Sequence, residues 1–116
     1  MMDPESNENA PESLKGTTLK AADLVTYQDG AVVSREIVRG KGGTVTVFAF
    51  DKGQQLSEHT APFDALVVGL DGTADISIAG RGHRLGAGEA IIMPARILHG
   101  LKAVSRFKML LVMVKK

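Results

Sequence analysis

At 116 residues and 44% hydrophobic, the chain is long enough for one domain with one core and too apolar for a disordered polymer. It has no cysteine, which excludes disulfides, thiolate metal sites and cysteine nucleophiles, and only 4% aromatic residues with no Trp, so its core must be built from Val, Ile, Leu, Met and Ala. The net charge of +1 hides an asymmetry: "MMDPESNENAPES" has four acids and no base, whereas from Ala95 onward come six bases (Arg96, Lys102, Arg106, Lys108, Lys115, Lys116) and no acid.

Those bases are spread along apparent strands and are not interleaved with aromatic rings. They read as solvated strand faces, and no nucleic-acid partner is expected. No apolar run reaches the ~18 residues of a membrane helix, so no membrane partner is expected either. The N-terminus lacks the basic and apolar regions of a secretory signal, which points to a cytoplasmic protein.

Residues 1–13 are rich in Asn, Glu, Ser and Pro and nearly devoid of large apolar groups. Ordering them would cost entropy with little burial in return, so residues 1–17 are expected to form a disordered acidic tail ahead of a single domain over 18–116. "TLKAADLVTY" (18–27) suits a short helical turn or a strand.

From Ala31 the chain reads as strands. "AVVSREIVR" (31–39) is β-rich, "RGKGG" (39–43) is a turn, "TVTVFAFD" (44–51) is nearly all β-branched or aromatic, and "DKGQQ" (51–55) turns again. "DALVVGL" (64–70) leads into Asp71-Gly72, a tight-hairpin signal. "TADISIA" (73–79) alternates, with Ala74, Ile76 and Ile78 on one face. "GRG" turns the chain, "HRL" (83–85) is short, and "GAGEAIIMP" (86–94) is a strand stopped by Pro94. "HGLKAVS" (99–105) and "FKMLLVMVKK" (107–116) complete the series. Short strands every ten residues or so, parted by Gly-rich turns, predict an all-β sandwich or barrel.

Two segments carry the polar chemistry. In "LSEHTAPFDALVVGLDG" (56–72), His59 stands six residues after Gly53 and ahead of an apolar alternation closed by Gly72. In "GAGEAIIMPARILHG" (86–100), Gly88 precedes Pro94 by six and His99 follows five later. This spacing resembles the two signature motifs of the cupin family, over residues 31–116. The first motif has a glycine, a His-x-His pair, a glutamate and a glycine; the second has a glycine, a proline, a glycine and a histidine. The resemblance implies a double-stranded β-helix, or jelly roll, closed as a small barrel.

It also implies a site. In metal-binding cupins two histidines and a glutamate of the first motif converge with the histidine of the second. Matched residue by residue, His59 and His99 take the first and last ligand positions, and the other two fall on Ala61 and Ala65. The glycine after the proline is Arg96, and the asparagine that often closes the second motif is Ala103. His59 and His99 are therefore the candidate ligands for a divalent transition metal (Fe, Mn, Ni, Zn or Cu), with half of the usual set missing.

On a regular strand Glu58 and Asp64 lie out of phase with His59 and point away from the barrel. A bulge at Pro62 would turn Asp64 into the pocket, which makes it a candidate ligand-binding residue. Met93, Met109 and Met113 sit at alternating strand positions as core or cavity lining; Met93 is a candidate ligand contact. Arg96 would set a cation at the pocket mouth, or else point into solvent. Phe63, Leu66, Val68 and Leu70 read as core or interface residues around a pocket suited to a small, mostly apolar ligand. His83 matches no ligand position and reads as a surface residue.

Three functional readings stay open: a metal-dependent small-molecule enzyme of dioxygenase or isomerase type, a metal-free small-molecule binding module, and acid–base catalysis by His59 with Asp64. No catalytic residue is assigned. Small cupins pair as homodimers through an added edge strand, and "AVVSREIVR" is the candidate for that role.

Overall fold

The computed structural model describes residues 14–115. The expected acidic tail lies, over residues 1–13, outside the described residues. Among the described residues nine strands follow a short 3-10 turn, Ala21–Leu24: β1 (Val32–Gly40), β2 (Gly43–Phe50), β3 (Gln55–His59), β4 (Asp64–Asp71), β5 (Thr73–Ile78), β6 (Arg81–Gly86), β7 (Ala90–Met93), β8 (His99–Ala103) and β9 (Phe107–Val114). They form a five-stranded sheet of order β1-β2-β9-β4-β7 facing a four-stranded sheet of order β3-β8-β5-β6.

All strand pairs are antiparallel. From β2 onward the chain crosses between sheets at every step except β5–β6, and so winds around the barrel as a double-stranded β-helix. The predicted β1–β2 and β5–β6 hairpins are present, with Gly40 opposite Gly43 and Ile78 opposite Arg81. Asp71-Gly72 is not the tight hairpin that its composition suggests. β4 pairs with β7 and β9, β5 with β6 and β8, so Gly72 turns a corner from one sheet to the other. The dipeptide specifies a positive φ, and either a hairpin or a corner can use one.

The space between the sheets is filled from the alternating inward positions. Phe50, Val67, Ile76 and Phe107 are wholly buried, and the rings of Phe50 and Phe107 lie 6.0 Å apart in a tilted contact. Burying side chains of this size contributes about 1.5–3 kcal/mol each. A second, smaller cluster lies on the outer face of the five-stranded sheet, where the N-terminal segment seats Val25 on Val47 and Ala49. Polar contacts pin that segment down. Lys108 Nζ donates to the Ala22 carbonyl at 2.7 Å, the Tyr27 hydroxyl donates to Asp71, and Arg106 bonds Asp29 at 2.6 Å and Asp51 at 2.9 Å. β1 ends the five-stranded sheet with one flank on β2.

Candidate binding site

β3 and β8 bring the two histidines together. His59 lies directly across from His99, and their rings stand 4.5 Å apart, edge to face. The register shifts between Leu56 and His59: three positions on β3 span the two from Leu101 to His99 on β8, so β3 carries one extra residue. That bulge puts Leu56 and His59 on the same inner face despite their odd separation. It leaves Glu58 on the outer face, where its carboxylate accepts from Ser77 Oγ at 3.3 Å.

Each ring is oriented by its own chain. His59 Nδ1 lies 2.7 Å from the Ser57 carbonyl, and His99 Nδ1 lies 3.1 Å from the Ile97 carbonyl. A carbonyl only accepts, so each Nδ1 carries a proton, and in the neutral form of either ring the lone pair is on Nε2. His99 is 4% exposed, whereas His59 is exposed at the mouth. Burial, and then repulsion from His59, holds His99 below the ordinary histidine pKa, and the bond to the Ile97 carbonyl opposes this.

A neutral native His99 has a consequence for stability. Below about pH 6.5 an unfolded imidazole takes up a proton that the native one resists. His99 thus supports full stability above that value, and its contribution is lost as pH falls toward the lower native pKa. Urea melts across this range, above the carboxylate titrations, are expected to show stability falling with acid in the wild type and a flatter profile for His99→Gln. Equal slopes would mean that His99 titrates normally.

The cavity at this pair has a volume of about 100 Å³. Leu56, Ala61, Phe63, Ala65, Leu101 and Leu111 line it along with the histidines, and so do Met93, Met109 and Met113. Ala61 and Ala65 therefore stand in the same cavity as both imidazoles, with methyl groups where the resemblance places a histidine and a glutamate. Ala65 is flanked in register by Met93 on β7 and by Met113 on β9, so thioethers border that methyl on either side.

Other candidate residues lie elsewhere. Pro62 does not break the alternation: Ala61, Phe63 and Ala65 all line the cavity. Asp64 stays out of phase and outside the lining, and its Oδ1 accepts from the Ala95 amide at 2.8 Å. Arg96 is exposed and also outside the lining. Its amide donates to the Ala61 carbonyl at 2.7 Å, and its φ of 64° is a left-handed conformation that the family's glycine would adopt without a Cβ penalty. Leu66 and Val68 alternate away from the cavity, and Leu70 joins the outer cluster under the N-terminal segment. His83 is exposed on β6.

Leu56, Leu101 and Leu111 are lining residues that the sequence reading did not single out. The alternation of β8 and β9 could have marked Leu101 and Leu111, but the bulge concealed Leu56.

A divalent ion fits this donor set poorly. Among the described residues no group of three or more His, Cys, Asp or Glu is placed to hold a metal. Two neutral nitrogens fall short of the three or four ligands of fitting geometry such a site uses, and no carboxylate lines the cavity to offset the charge.

The chain is similar to several known proteins. Residues 46–115 match the family model described as "Cupin domain". A conserved Streptococcus pyogenes protein of unknown function is 40% identical, covering 87% of this chain and 89% of that one, with a TM-score of 0.83. A "Cupin 2 conserved barrel domain protein" from Leptotrichia buccalis is 39% identical over 81% of this chain and 46% of its own, with a TM-score of 0.78. An uncharacterised Klebsiella pneumoniae protein with a double-stranded β-helix domain shares the fold at 19% identity, covering 89% of this chain and 87% of that one, with a TM-score of 0.77. Among curated proteins, none matches the chain.

Proposed function

The chain belongs to the cupin family, and on that premise we propose that its barrel pocket binds a small, mostly apolar molecule whose donor group is held by the free imidazole nitrogens of His59 and His99. The observation that carries this reading is the histidine pair, oriented by backbone carbonyls, in a cavity otherwise lined by apolar side chains and glycine. Few polar anchors in an apolar cleft are the usual make-up of a small-molecule site. The cavity sets the scale: an engineered apolar cavity of about 150 Å³ holds benzene, so about 100 Å³ here suits a group of a few heavy atoms, with anything larger reaching out of the mouth.

Binding is favoured over acid–base turnover because the pair has no carboxylate partner. Asp64, the one candidate, is engaged with the Ala95 amide. The same donor set argues against a divalent-metal enzyme.

Phenol and toluene test this reading, because they are similar in size and differ in a hydroxyl donor. Titrations followed by amide NMR shifts are expected to perturb β3, β8 and β9, with phenol bound about three- to tenfold tighter, the worth of one such hydrogen bond. His59→Ala should reduce the preference, since the His99 ring remains in the cavity, and leave toluene binding in place. Equal affinities in the wild type, or shifts away from the cavity, would overturn the reading.

A further inference from the structure

Two imidazoles constrain the head group of a ligand more closely than one would. We propose that the pocket takes a neutral arylamine, a primary NH2 group on an aromatic ring, which donates one N–H to each imidazole; this rests on the reading of the histidine pair as the polar anchor of the pocket.

Three properties of the cavity support it. The first is its hydrogen-bonding character. The Nδ1 proton of each ring is taken by the Ser57 or the Ile97 carbonyl, so a neutral ring has only its Nε2 lone pair left for a ligand. Among the described residues the other side chains lining the cavity are those of Leu, Ala, Phe and Met, and none of these donates. The side chains thus offer two acceptors and no donor. A carbonyl, ether or carboxylate head would set lone pairs against lone pairs after losing its own hydration. A hydroxyl serves one imidazole, leaves the other without a partner, and brings lone pairs that find no side-chain donor.

The second is spacing. His59 lies across from His99 in register, and the ring centroids are 4.5 Å apart at an interplanar angle of 71°. Two N–H bonds splayed from one nitrogen end on acceptors roughly 5 Å apart at ordinary hydrogen-bond lengths. A single NH2 group therefore matches the scale of the pair.

The third is charge. Glu58 bonds Ser77 on the outer face and Asp64 bonds the Ala95 amide, so no carboxylate lines the cavity. An ammonium head would lose its water and meet no counter-charge. The NH2 group must then be neutral in neutral water, as arylamines are and aliphatic amines are not. A primary amide is neutral too, but its carbonyl oxygen would lack a side-chain donor. The arylamine lone pair is delocalised into its ring and needs none, and that ring suits the apolar walls.

Three isomers of one formula test this: para-toluidine, N-methylaniline and benzylamine. They present two neutral N–H donors, one neutral N–H donor and an ammonium. The full chain is titrated with each at about pH 8, above the ordinary histidine range, and followed by NMR of its amides and imidazole nitrogens. Para-toluidine is expected to bind about three- to tenfold tighter than N-methylaniline, the worth of one hydrogen bond, and at least about tenfold tighter than benzylammonium. Both Nε2 resonances should move with para-toluidine. His59 is exposed, so His59→Ala should fold, which circular dichroism checks. With one acceptor left, the gap between para-toluidine and N-methylaniline should close in that variant.

N-methylaniline binding as tightly as para-toluidine, benzylammonium binding most tightly, no binding of any isomer, or a gap that persists in His59→Ala would each overturn the proposal. If the phenol preference stands while the isomers show no gap, the two-donor head falls and the small-molecule reading survives. If both fail, the anchor role of the pair falls with them.

Discussion

Substituting Ala61→His and Ala65→Glu together is expected to create a divalent-metal centre, raising affinity for zinc or manganese by several orders of magnitude over the wild type. The grounds are positional. Both alanines line the cavity that holds His59 and His99, and the family resemblance puts the two absent ligands at these positions. Ala65 is only 5% exposed, so without metal the new carboxylate would be buried and unpaired. That costs about 3 kcal/mol, moderated if the group takes up a proton. The double variant should therefore melt below the wild type when metal-free and recover when zinc is added, whereas the wild type should show no such zinc-dependent gain. Calorimetric titration and thermal melts check the two halves separately. If affinity does not rise in a folded double variant, the methyls at 61 and 65 do not occupy ligand positions.

Gly72→Ala is expected to be among the most damaging single substitutions in the barrel. Gly72 has φ +73°, and an added Cβ would lie 1.7 Å from the Arg106 carbonyl oxygen and 2.9 Å from Ser105 Oγ. The left-handed backbone alone costs an alanine roughly 1–2 kcal/mol. The clash adds to it, because Ser105 Oγ also accepts the Thr73 amide at 3.0 Å and both sides of the corner would have to move. A total of about 4 kcal/mol or more follows, the severe end for point substitutions. Gly53→Ala is the control. Its φ is +84°, but nothing lies within 4 Å of its added Cβ, so only the conformational cost applies. Urea denaturation of the pair separates crowding from conformation. Equal losses would mean that the approach of Arg106 to Gly72 is not as close as described.

The sequence was most legible where one property dominated. The alternation of "TADISI" and the β-branched run of "TVTVFAF" correspond to β5 and β2, and the glycines mark turns. The spacing of His59, Pro94 and His99 located the two segments that converge on one cavity. β3 was missed as a strand because "QLSEH" is polar and its bulge destroys the period-two pattern that betrays a strand. The same bulge hid Leu56 from the lining. Asp64 was misleading for the opposite reason: proline suggested a phase break, yet Ala61, Phe63 and Ala65 keep their phase through Pro62. The corner at Gly72 was unreadable as such, since the choice of partner strand rests with β9 and β8, more than twenty-five residues on.

β9 sits in the middle of the five-stranded sheet, with β2 on one flank and β4 on the other. It is the last strand of the barrel to be synthesised. Until it leaves the ribosome, β2 and β4 have no common neighbour and each presents a bare edge, the condition under which strands pair with the wrong chain. Closure of this barrel therefore waits for its ninth strand, and its rate is governed by non-local pairings such as Phe50 with Phe107, which must span more than fifty residues before any contact rewards them.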